Sequence, residues 1–337
     1  MLNADPKQSH VAHQFKHSRP LVACCFDPKG RYVFTSSEDY SLQRWELPSG
    51  KKTNWAAHDS WVKDIAFLPD GETFITAGCD DKLIYWPTTA KTPKPIRTVE
   101  AHKGWIRSIS VAKDGKTLAT GGNDNLVKLW NAADGKLIRT FKGHQYDVYS
   151  TLIHPNGKYL LSGDQVGTVI QWEIATGKLL RKFDAKALLR SGTQGVRYGG
   201  VRGLAVSPNG KNLACCGLHK ASNPLGAVNE PIVLQFDWKS GKKVRSHVTS
   251  KIKGIGWQVE YLQDGTLVCA SGGSGGGYLL FWKPDKDKDY HKLKLPNTAR
   301  DMSMHADGLQ VATAHHDSTV RITKFTPKPK AKPKKKK

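Results

Sequence analysis

The sequence is short of acidic residues, of methionine and of long apolar runs. It has 29 aspartates and glutamates against 52 lysines and arginines, and only three methionines among 337 residues. No apolar run approaches the roughly 20 residues that a membrane-spanning helix needs. The N-terminal residues MLNADPKQSHVAHQF contain no apolar stretch of the signal-peptide type. We therefore expect a cytoplasmic protein, or a nuclear one if the host cell has a nucleus.

Cysteine is present, but not in a pattern that binds metal or forms disulfides. Cys24–Cys25 and Cys215–Cys216 are adjacent pairs, and Cys79 and Cys269 stand alone. Adjacent residues of a strand point to opposite faces, so neither pair suits a disulfide or a shared metal ion. Because the paired spacing of a zinc site is also missing, we expect buried, reduced thiols.

Motifs of catalysis are missing as well. The sequence has no nucleophile elbow, no paired-carboxylate motif and no dinucleotide fingerprint. The run Ser271–Gly277 lacks the Gly-Lys-Ser/Thr end of a phosphate-binding loop, so we interpret it as a flexible connection. We therefore expect a non-enzymatic protein without a cofactor.

Histidines gather near both ends of the chain and invite a metal-site interpretation. No cysteine or carboxylate spacing accompanies them, so we expect no metal there either. The histidines concerned are His10, His13, His17, His305, His315 and His316.

The chain does contain a repeated unit that begins with a histidine and closes with a tryptophan, as in the stretch from His102 to Trp130. The same spacing separates His17 from Trp45, His58 from Trp86 and His144 from Trp172. Aligning on the closing aromatic residue extends the pattern to seven repeats. They close at Trp45, Trp86, Trp130, Trp172, Phe236, Trp282 and Thr323. Self-similarity of this kind predicts a repeat architecture.

Each repeat predicts four short strands. In the third repeat they are marked by Ile106, Ile109 and Val111, by Thr117–Thr120, by Val127 and Leu129, and by Leu137–Phe141. These runs are rich in β-branched residues and are bounded by Gly, Asp and Asn, as strands are. No amphipathic helical stretch of comparable strength accompanies them.

This pattern resembles the WD-repeat β-propeller family over roughly residues 10–325. The family opens a repeat with Gly-His and closes it with Trp-Asp. Here only Gly143-His144 is a true Gly-His pair, and no closing tryptophan is followed by Asp. The spacing therefore carries the resemblance. It implies an all-β, seven-bladed propeller of four-stranded antiparallel blades over residues 1–326, followed by a disordered basic tail at 327–337.

Members of the family close the ring with an N-terminal strand that completes the last blade. The segment His10–Phe15 is similar to the outer strand Leu137–Phe141, and it precedes His17 much as Phe141 precedes His144. The resemblance therefore implies that His10–Phe15 pairs with the last repeat near Val320–Phe325.

The repeats also contain a group of His, Thr, Asp and Trp that resembles the family's buried hydrogen-bonded set. The three complete sets are His17, Thr35, Asp39 and Trp45; His58, Thr76, Asp80 and Trp86; and His102, Thr120, Asp124 and Trp130. We expect the hydroxyl and the carboxylate to flank the histidine, whose other nitrogen reaches toward the indole. A single set would suggest a Ser-His-Asp catalytic group, but recurrence in three repeats favours a structural role.

The set is expected to decay elsewhere in the ring. The fourth repeat has Val166 at the position of the aspartate, and the fifth has Arg197 at the position of the histidine. The seventh keeps Thr313 and Asp317 but lacks the aromatic residue. We expect these blades to be less rigid.

Aromatic and basic residues flank the first apolar residue of the first strand in most repeats. They are Trp61, Lys63, Trp105, Arg107, Tyr146, Tyr149, Arg202, Trp257 and Arg300. These residue types are typical of binding hot spots, although packing against neighbouring blades is the alternative role for each. Insertions at 184–196, 218–230 and 271–277 are expected on the same face of the ring, where long loops often carry recognition.

The leading hypothesis is a protein-interaction scaffold, a monomeric propeller within a complex, that docks an acidic protein or peptide on this face. The alternative is a polyanion or nucleic-acid binding protein that uses the basic face and the tail, because the formal net charge is +23. The tail 327–337 has three open interpretations: a solubilising segment, a nonspecific polyanion tether, or a nuclear-localisation-like signal.

Overall fold

The fold consists almost entirely of β-strands. The computed structural model describes residues 3–191, 197–223 and 228–329. Within these ranges the strands form seven four-stranded antiparallel sheets and one two-stranded sheet. The predicted seven-bladed propeller is thus confirmed. Residues 330–337, most of the predicted disordered tail, lie outside the described residues, as do 192–196 and 224–227 within the predicted insertions.

Four consecutive blades follow the first strand, β1, which spans His10–Lys16. Blade 1 contains β2 Leu21–Phe26, β3 Tyr32–Ser37, β4 Ser41–Glu46 and β5 Lys52–Ala56. Blade 2 contains β6 Val62–Phe67, β7 Thr73–Gly78, β8 Lys82–Pro87 and β9 Arg97–Glu100. Blade 3 contains β10 Ile106–Val111, β11 Thr117–Gly122, β12 Val127–Asn131 and β13 Leu137–Phe141. Blade 4 contains β14 Val148–Ile153, β15 Tyr159–Asp164, β16 Thr168–Glu173 and β17 Leu179–Asp184.

Blades 5 and 6 contain longer strands than the first four blades. A small hairpin, β18 Leu189–Ser191 and β19 Arg197–Gly199, precedes blade 5. Blade 5 contains β20 Gly203–Val206, β21 Asn212–Asn223, β22 Val228–Asp237 and β23 Lys243–Val248. Blade 6 contains β24 Ile255–Tyr261, β25 Leu267–Gly273, β26 Gly276–Trp282 and β27 His291–Leu295. Blade 7 contains β28 Ala299–Met304, β29 Gln310–His315 and β30 Thr319–Lys324, and β1 completes it. Short 3₁₀ turns lie at Pro6–Gln8 and Lys186–Leu188. The described residues contain no helix with the length and apolarity needed to cross a bilayer.

The hydrophobic core is divided into seven clusters, and each cluster lies between two neighbouring blades. Between blades 1 and 2, for example, Phe34 packs against Phe74, with ring centroids 4.6 Å apart. The cluster that joins blade 7 to blade 1 contains Ile322 and Trp45. Both faces of each blade are therefore buried only when the ring is complete.

Arginines in the fourth strands add polar connections between blades. Arg97 donates to the carbonyl of Ala133 at 2.9 Å, Arg139 to that of Thr176 at 3.1 Å, and Arg181 to that of Trp238 at 3.1 Å. Each acceptor lies between the third and the fourth strand of the next blade. The repeated spacing of these arginines is visible in the sequence, but its role was not predicted.

One predicted insertion is part of a regular hairpin. The interpretation of Ser271–Gly277 as a flexible connection is wrong, because Ser271–Gly273 continue β25 and Gly276–Gly277 begin β26. Glycine is required there because the hairpin packs on neighbouring backbone. A Cβ on Gly277 would lie 1.9 Å from the Asn297 carbonyl oxygen. In blade 5 the predicted excess between the second and third strands is largely an extension of β21 and β22.

The ring closes as predicted through β1. This strand pairs antiparallel with β30, with Phe15 opposite Val320 and His10 opposite Lys324. The Phe15 ring also stacks on Trp45 of blade 1 at 5.8 Å, so the closing strand contacts both sides of the junction.

Removal of residues 1–16 should therefore destabilise the whole propeller. Blade 7 would lose its outer strand and Trp45 its stacking partner, a loss of several kcal/mol that corresponds to roughly 10 °C in melting temperature. A thermal melt followed by circular dichroism measures the effect. As a control, removal of residues 330–337 should leave the melt unchanged. Equal melting temperatures for the intact chain and the chain without residues 1–16 would contradict the closure.

Candidate functional site

The His-Thr-Asp-Trp residues of blades 2 and 3 form buried chains of hydrogen bonds. In blade 3, Trp130 Nε1 donates to Thr120 Oγ1 at 2.9 Å, and Thr120 Oγ1 lies 2.7 Å from His102 Nε2. His102 Nδ1 lies 2.8 Å from Asp124 Oδ1. Because the hydroxyl accepts the indole N–H, its own proton points to Nε2, and Nδ1–H donates to the carboxylate. The expectation that the histidine itself reaches the indole is wrong, since the threonine lies between them.

Blade 2 repeats this geometry. His58 lies 2.8 Å from Asp80 Oδ1 and 2.7 Å from Thr76 Oγ1, and Trp86 Nε1 donates to Thr76 at 3.0 Å. Burial by itself would raise the pKa of Asp80, but the hydrogen bond and charge of His58 hold that pKa below its usual value. This chain of hydrogen bonds thus connects the turn after the second strand to the centre of the blade.

Blade 4 keeps a complete set that the sequence analysis missed. His144 Nδ1 lies 2.9 Å from Asp164 Oδ2, and its Nε2 lies 2.7 Å from Ser162 Oγ. Trp172 Nε1 donates to the same Ser162 oxygen at 2.8 Å. The expected loss of the acid at Val166 is therefore wrong, because Asp164 supplies the carboxylate from two residues earlier. The signal was the serine followed two positions later by aspartate, in Ser162-Gly163-Asp164.

Blade 1 departs from the pattern. Trp45 Nε1 donates to Thr35 at 2.9 Å and His17 contacts Asp39 at 3.0 Å, but Thr35 donates to Gln43 Oε1 at 2.7 Å. Gln43 thus takes the place that the histidine has in blades 2 to 4.

Blade 7 has a different arrangement. Its Thr313 lies 2.7 Å from His315 Nε2, while Asp317 accepts two hydrogen bonds from Arg321, at 2.9 and 2.6 Å. The hydroxyl of Thr323, at the position of the closing aromatic residue, is buried and finds no hydrogen-bond partner among the described residues. The side chain of Arg197 in the fifth repeat lies outside the described part of the structure.

The first strand of most blades aims one side chain into the central channel through a β-bulge. Register against the second strand shifts between Val62 and Asp64, between Ile106 and Ser108, between Val148 and Ser150, between Gly256 and Gln258, and between Ala299 and Asp301. Bulges re-aim side chains in this way. The residues so placed, with their counterparts in blades 1 and 5, form what we call the mouth ring: Val22, Lys63, Arg107, Tyr149, Arg202, Trp257 and Arg300.

The mouth ring surrounds one end of a cavity of about 570 Å³. Of the nine predicted binding residues, six belong to the ring, and Trp61 also lines the cavity. Trp105 is 40% exposed, and its ring contacts the guanidinium of Arg107, which belongs to the mouth ring. Tyr146 lies outside the cavity lining.

Guanidinium groups and aromatic rings alternate along one side of the mouth. Arg107 Cζ lies 4.7 Å from the centroid of Trp105 and 5.0 Å from that of Tyr149. Arg202 Cζ lies 4.4 Å from Tyr149 and 5.2 Å from Trp257. Each guanidinium is therefore held between two rings, which limits its movement and leaves N–H donors available.

The other side of the mouth holds Lys63 and Arg300. Arg300 forms an ion pair with Glu38 at 2.6 Å, and the Glu38 carbonyl accepts the indole N–H of Trp61 at 3.2 Å. Burial, and after it the positive charges of Arg107, Arg202 and Arg300, lower the pKa of Lys63 to about 8. Of the four cations at the mouth, Arg300 is the one that forms an ion pair with a carboxylate among the described residues.

Deeper in the channel the charge changes sign. Asp64 Oδ2 accepts the backbone N–H of Ile109 at 2.7 Å, and Asp301 Oδ2 accepts that of Cys24 at 2.8 Å, so each carboxyl joins two blades. Burial raises the pKa of Asp64 to about 6, and burial with the nearby charge of Asp64 raises that of Asp301 to about 8. These carboxyls were missed in the sequence, although each directly follows a mouth-ring cation.

The second insertion of blade 5 contributes charge beside the mouth. Glu230 pairs with Lys220 at 3.1 Å and with Lys253 at 3.2 Å. A smaller cavity of about 390 Å³ lies next to it, between Trp257 and Arg300. The described residues contain no group of His, Cys, Asp and Glu arranged to hold a metal ion.

We expect the central threonine of a complete set to contribute strongly to stability. Thr120→Val removes the acceptor of Trp130 and the donor to His102 at nearly constant volume, which should cost about 1–3 kcal/mol for each buried partner left unsatisfied. Urea unfolding measures the change. Thr117→Val, on the same strand but outside the set, is the matched control and should change stability little. Equal effects of the two substitutions would show that the set adds nothing.

Comparison with known proteins gives partial matches only. A family model described as WD domain, G-beta repeat matches residues 8–46, 50–86, 93–131 and 135–173. Protein HIR1 of Yarrowia lipolytica is 28% identical over 103 residues, 25% of this chain and 10% of its own length. Apoptotic protease-activating factor 1 of Homo sapiens is 29% identical over 73 residues, 21% of this chain and 6% of its own. The matched part thus spans a tenth or less of these relatives.

Proposed function

The chain belongs to the WD40 repeat family of β-propellers, and from this we propose that it is a non-enzymatic scaffold that docks a protein partner around the mouth ring. Propellers of this family are typically protein-interaction scaffolds. The surface, the partner's acidic character and a cytoplasmic location are parts of the proposal. So is a monomeric propeller within a larger complex.

The observation that carries the proposal is the exposed aromatic and basic surface at the mouth. Trp61 is 39% exposed and Trp105 is 40% exposed, although most large apolar side chains of the ring are buried. Tryptophan, tyrosine and arginine are the residues that most often dominate binding energy at protein interfaces. Rigid inner strands support all of them, so a partner would meet a preorganised surface.

The groups that look catalytic support a scaffold more than an enzyme. Complete His-hydroxyl-Asp chains occur in three blades, each satisfied by its own tryptophan. Their histidine side chains are buried away from the cavity lining. A reaction centre is needed once and must reach its substrate.

Replacing Trp105 and Arg107 together by Ala should weaken capture of the partner by at least about tenfold, because both would be hot-spot residues. The partner is first identified by affinity capture and mass spectrometry, and its affinity is then measured with the purified proteins. The matched control is Leu137→Ala with Ile138→Ala, two exposed residues on the outer strand of the same blade. Loss of binding with a lowered melting temperature, or equal losses in both pairs, would contradict this surface.

Nucleic acid is the second candidate partner, favoured by the formal net charge of +23. The basic surface at the mouth and the tail 327–337 would then both bind phosphate groups of the nucleic acid. For random-sequence single-stranded DNA, this function predicts a salt-dependent affinity that survives removal of 327–337 and falls when Lys63 and Arg202 are neutralised. Steeply salt-dependent binding that disappears with the tail would identify a nonspecific tether instead.

A further inference from the structure

The mouth ring has more positive charge than its protein partners neutralise. It contains four cations, Lys63, Arg107, Arg202 and Arg300. Of these, Arg300 alone forms an ion pair with a carboxylate in the part of the chain that the structure describes, and its partner is Glu38. Arg107 donates its Nε–H to the neutral oxygen of Asn123 at 2.8 Å. Three cations therefore face the cavity without a carboxylate at ion-pair distance among the described residues, although the carboxyls of Asp64, Glu260 and Asp301 also line that cavity.

Two of these cations also have donors without protein acceptors. Arg202 Nε is buried and has no hydrogen-bond partner, and no hydrogen bond from Lys63 Nζ occurs among the described residues. Burial lowers the pKa of Arg202 as well as that of Lys63. A buried donor without an acceptor is costly and rare, so the surroundings of Arg202 Nε suit a ligand that supplies an acceptor, whereas Lys63 Nζ is not among the buried atoms.

The shape of the site restricts that ligand. The rings of Tyr149 and Trp257 hold Arg202, and those of Trp105 and Tyr149 hold Arg107. The cations therefore surround the mouth in a fixed arrangement. Asp64 and Asp301 lie deeper in the channel than these cations, and their oxygens accept backbone N–H groups of the next blade. An anion would thus be attracted to the mouth and repelled by any charged carboxyl below it.

A phosphate monoester fits this arrangement better than a carboxylate. It carries a charge of about −1.5 to −2 and three strong acceptor oxygens, whereas a carboxylate carries one charge and two oxygens. Three cations without ion pairs carry more than enough charge to neutralise the phosphate, and their N–H groups suit its three acceptor oxygens. Guanidinium groups are well suited to phosphate because they offer parallel N–H donors.

We propose that the mouth ring binds one phosphorylated serine or threonine side chain of the docking partner, with Lys63, Arg107 and Arg202 as the phosphate ligands. This inference rests on the proposed function, because the phosphate is carried by the protein that docks on the mouth. The aromatic rings would contact the residues on either side of the phosphorylated one.

The test uses capped tripeptides and the full chain, in low-salt buffer free of phosphate and sulfate. Gly-phosphoserine-Gly, Gly-Glu-Gly and Gly-Ser-Gly are compared by calorimetric titration, with inorganic phosphate as a fourth ligand. We expect the phosphopeptide to bind most tightly. Lys63→Gln and Arg202→Gln should each weaken it about tenfold, the size of one charge-assisted hydrogen bond. Lys103→Gln, a lysine on the same face that is outside the cavity lining, should change its affinity less than about twofold.

Lys63 and Arg202 lie near other cations that repel them, so the loss of either charge should not unfold the protein. Thermal melts of Lys63→Gln and Arg202→Gln should therefore show folded variants. Should one of them be unfolded, the other carries the test. Equal affinity for the glutamate peptide, or an equal loss in Lys103→Gln, would overturn phosphate recognition. Inorganic phosphate that binds as tightly as the phosphopeptide would overturn recognition of a phosphorylated side chain, because the peptide would then contribute nothing. Random-sequence single-stranded DNA that binds the same residues more tightly would assign the ring to nucleic acid.

The partner itself separates this inference from the proposed function. Phosphatase treatment of the captured partner should abolish its binding if both are correct. Binding that survives the phosphatase but is lost in the Trp105 and Arg107 double variant would overturn the phosphate site and leave the docking face intact. A phosphopeptide that binds the ring, while partner capture is unaffected by that double variant, would support the pocket and contradict the docking face.

Discussion

The structure depends on the packing of each blade against its two neighbours. A four-stranded sheet this small has two apolar faces, and each is covered only by the next blade in the ring. An open ring would therefore expose two faces and an unpaired strand edge. Strand β1 solves this problem by completing blade 7 and stacking Phe15 on Trp45. The hydrogen-bonded sets and the arginines between blades further stabilise the blades that ring closure holds in place.

Ring closure also creates the site. Each inner strand contributes side chains to one shared channel, so residues far apart in sequence, such as Lys63 and Arg300, become neighbours at its mouth. The bulge at the start of an inner strand turns one side chain into that channel. Keeping Lys63 charged there is costly, because burial and then the neighbouring arginines lower its pKa. Such a cost is acceptable in a rigid framework and is typical of sites that bind a ligand.

Much of the fold was predictable because the spacing of His and Trp reflects the length of a blade. The strands of blade 3, the number of blades and the closing strand all follow from that repeat. Hydrogen-bond partners were less predictable, since Asp164 and Gln43 enter the sets from positions other than those of the aspartate and the histidine in blades 2 and 3. The glycine hairpin at Ser271–Gly277 resembled a flexible linker because its reason, close backbone packing, involves residues distant in sequence. Six of the nine binding candidates lie in the mouth ring because their position relative to the first apolar residue is repeated.

Hydrogen–deuterium exchange of the protein with and without its captured partner locates the docking surface. Docking at the mouth ring predicts the strongest protection in residues 59–63, 103–107 and 145–149, where inner strands begin. Protection concentrated instead in the turns at 28–31, 113–116 and 155–158, at the opposite ends of those strands, would contradict it.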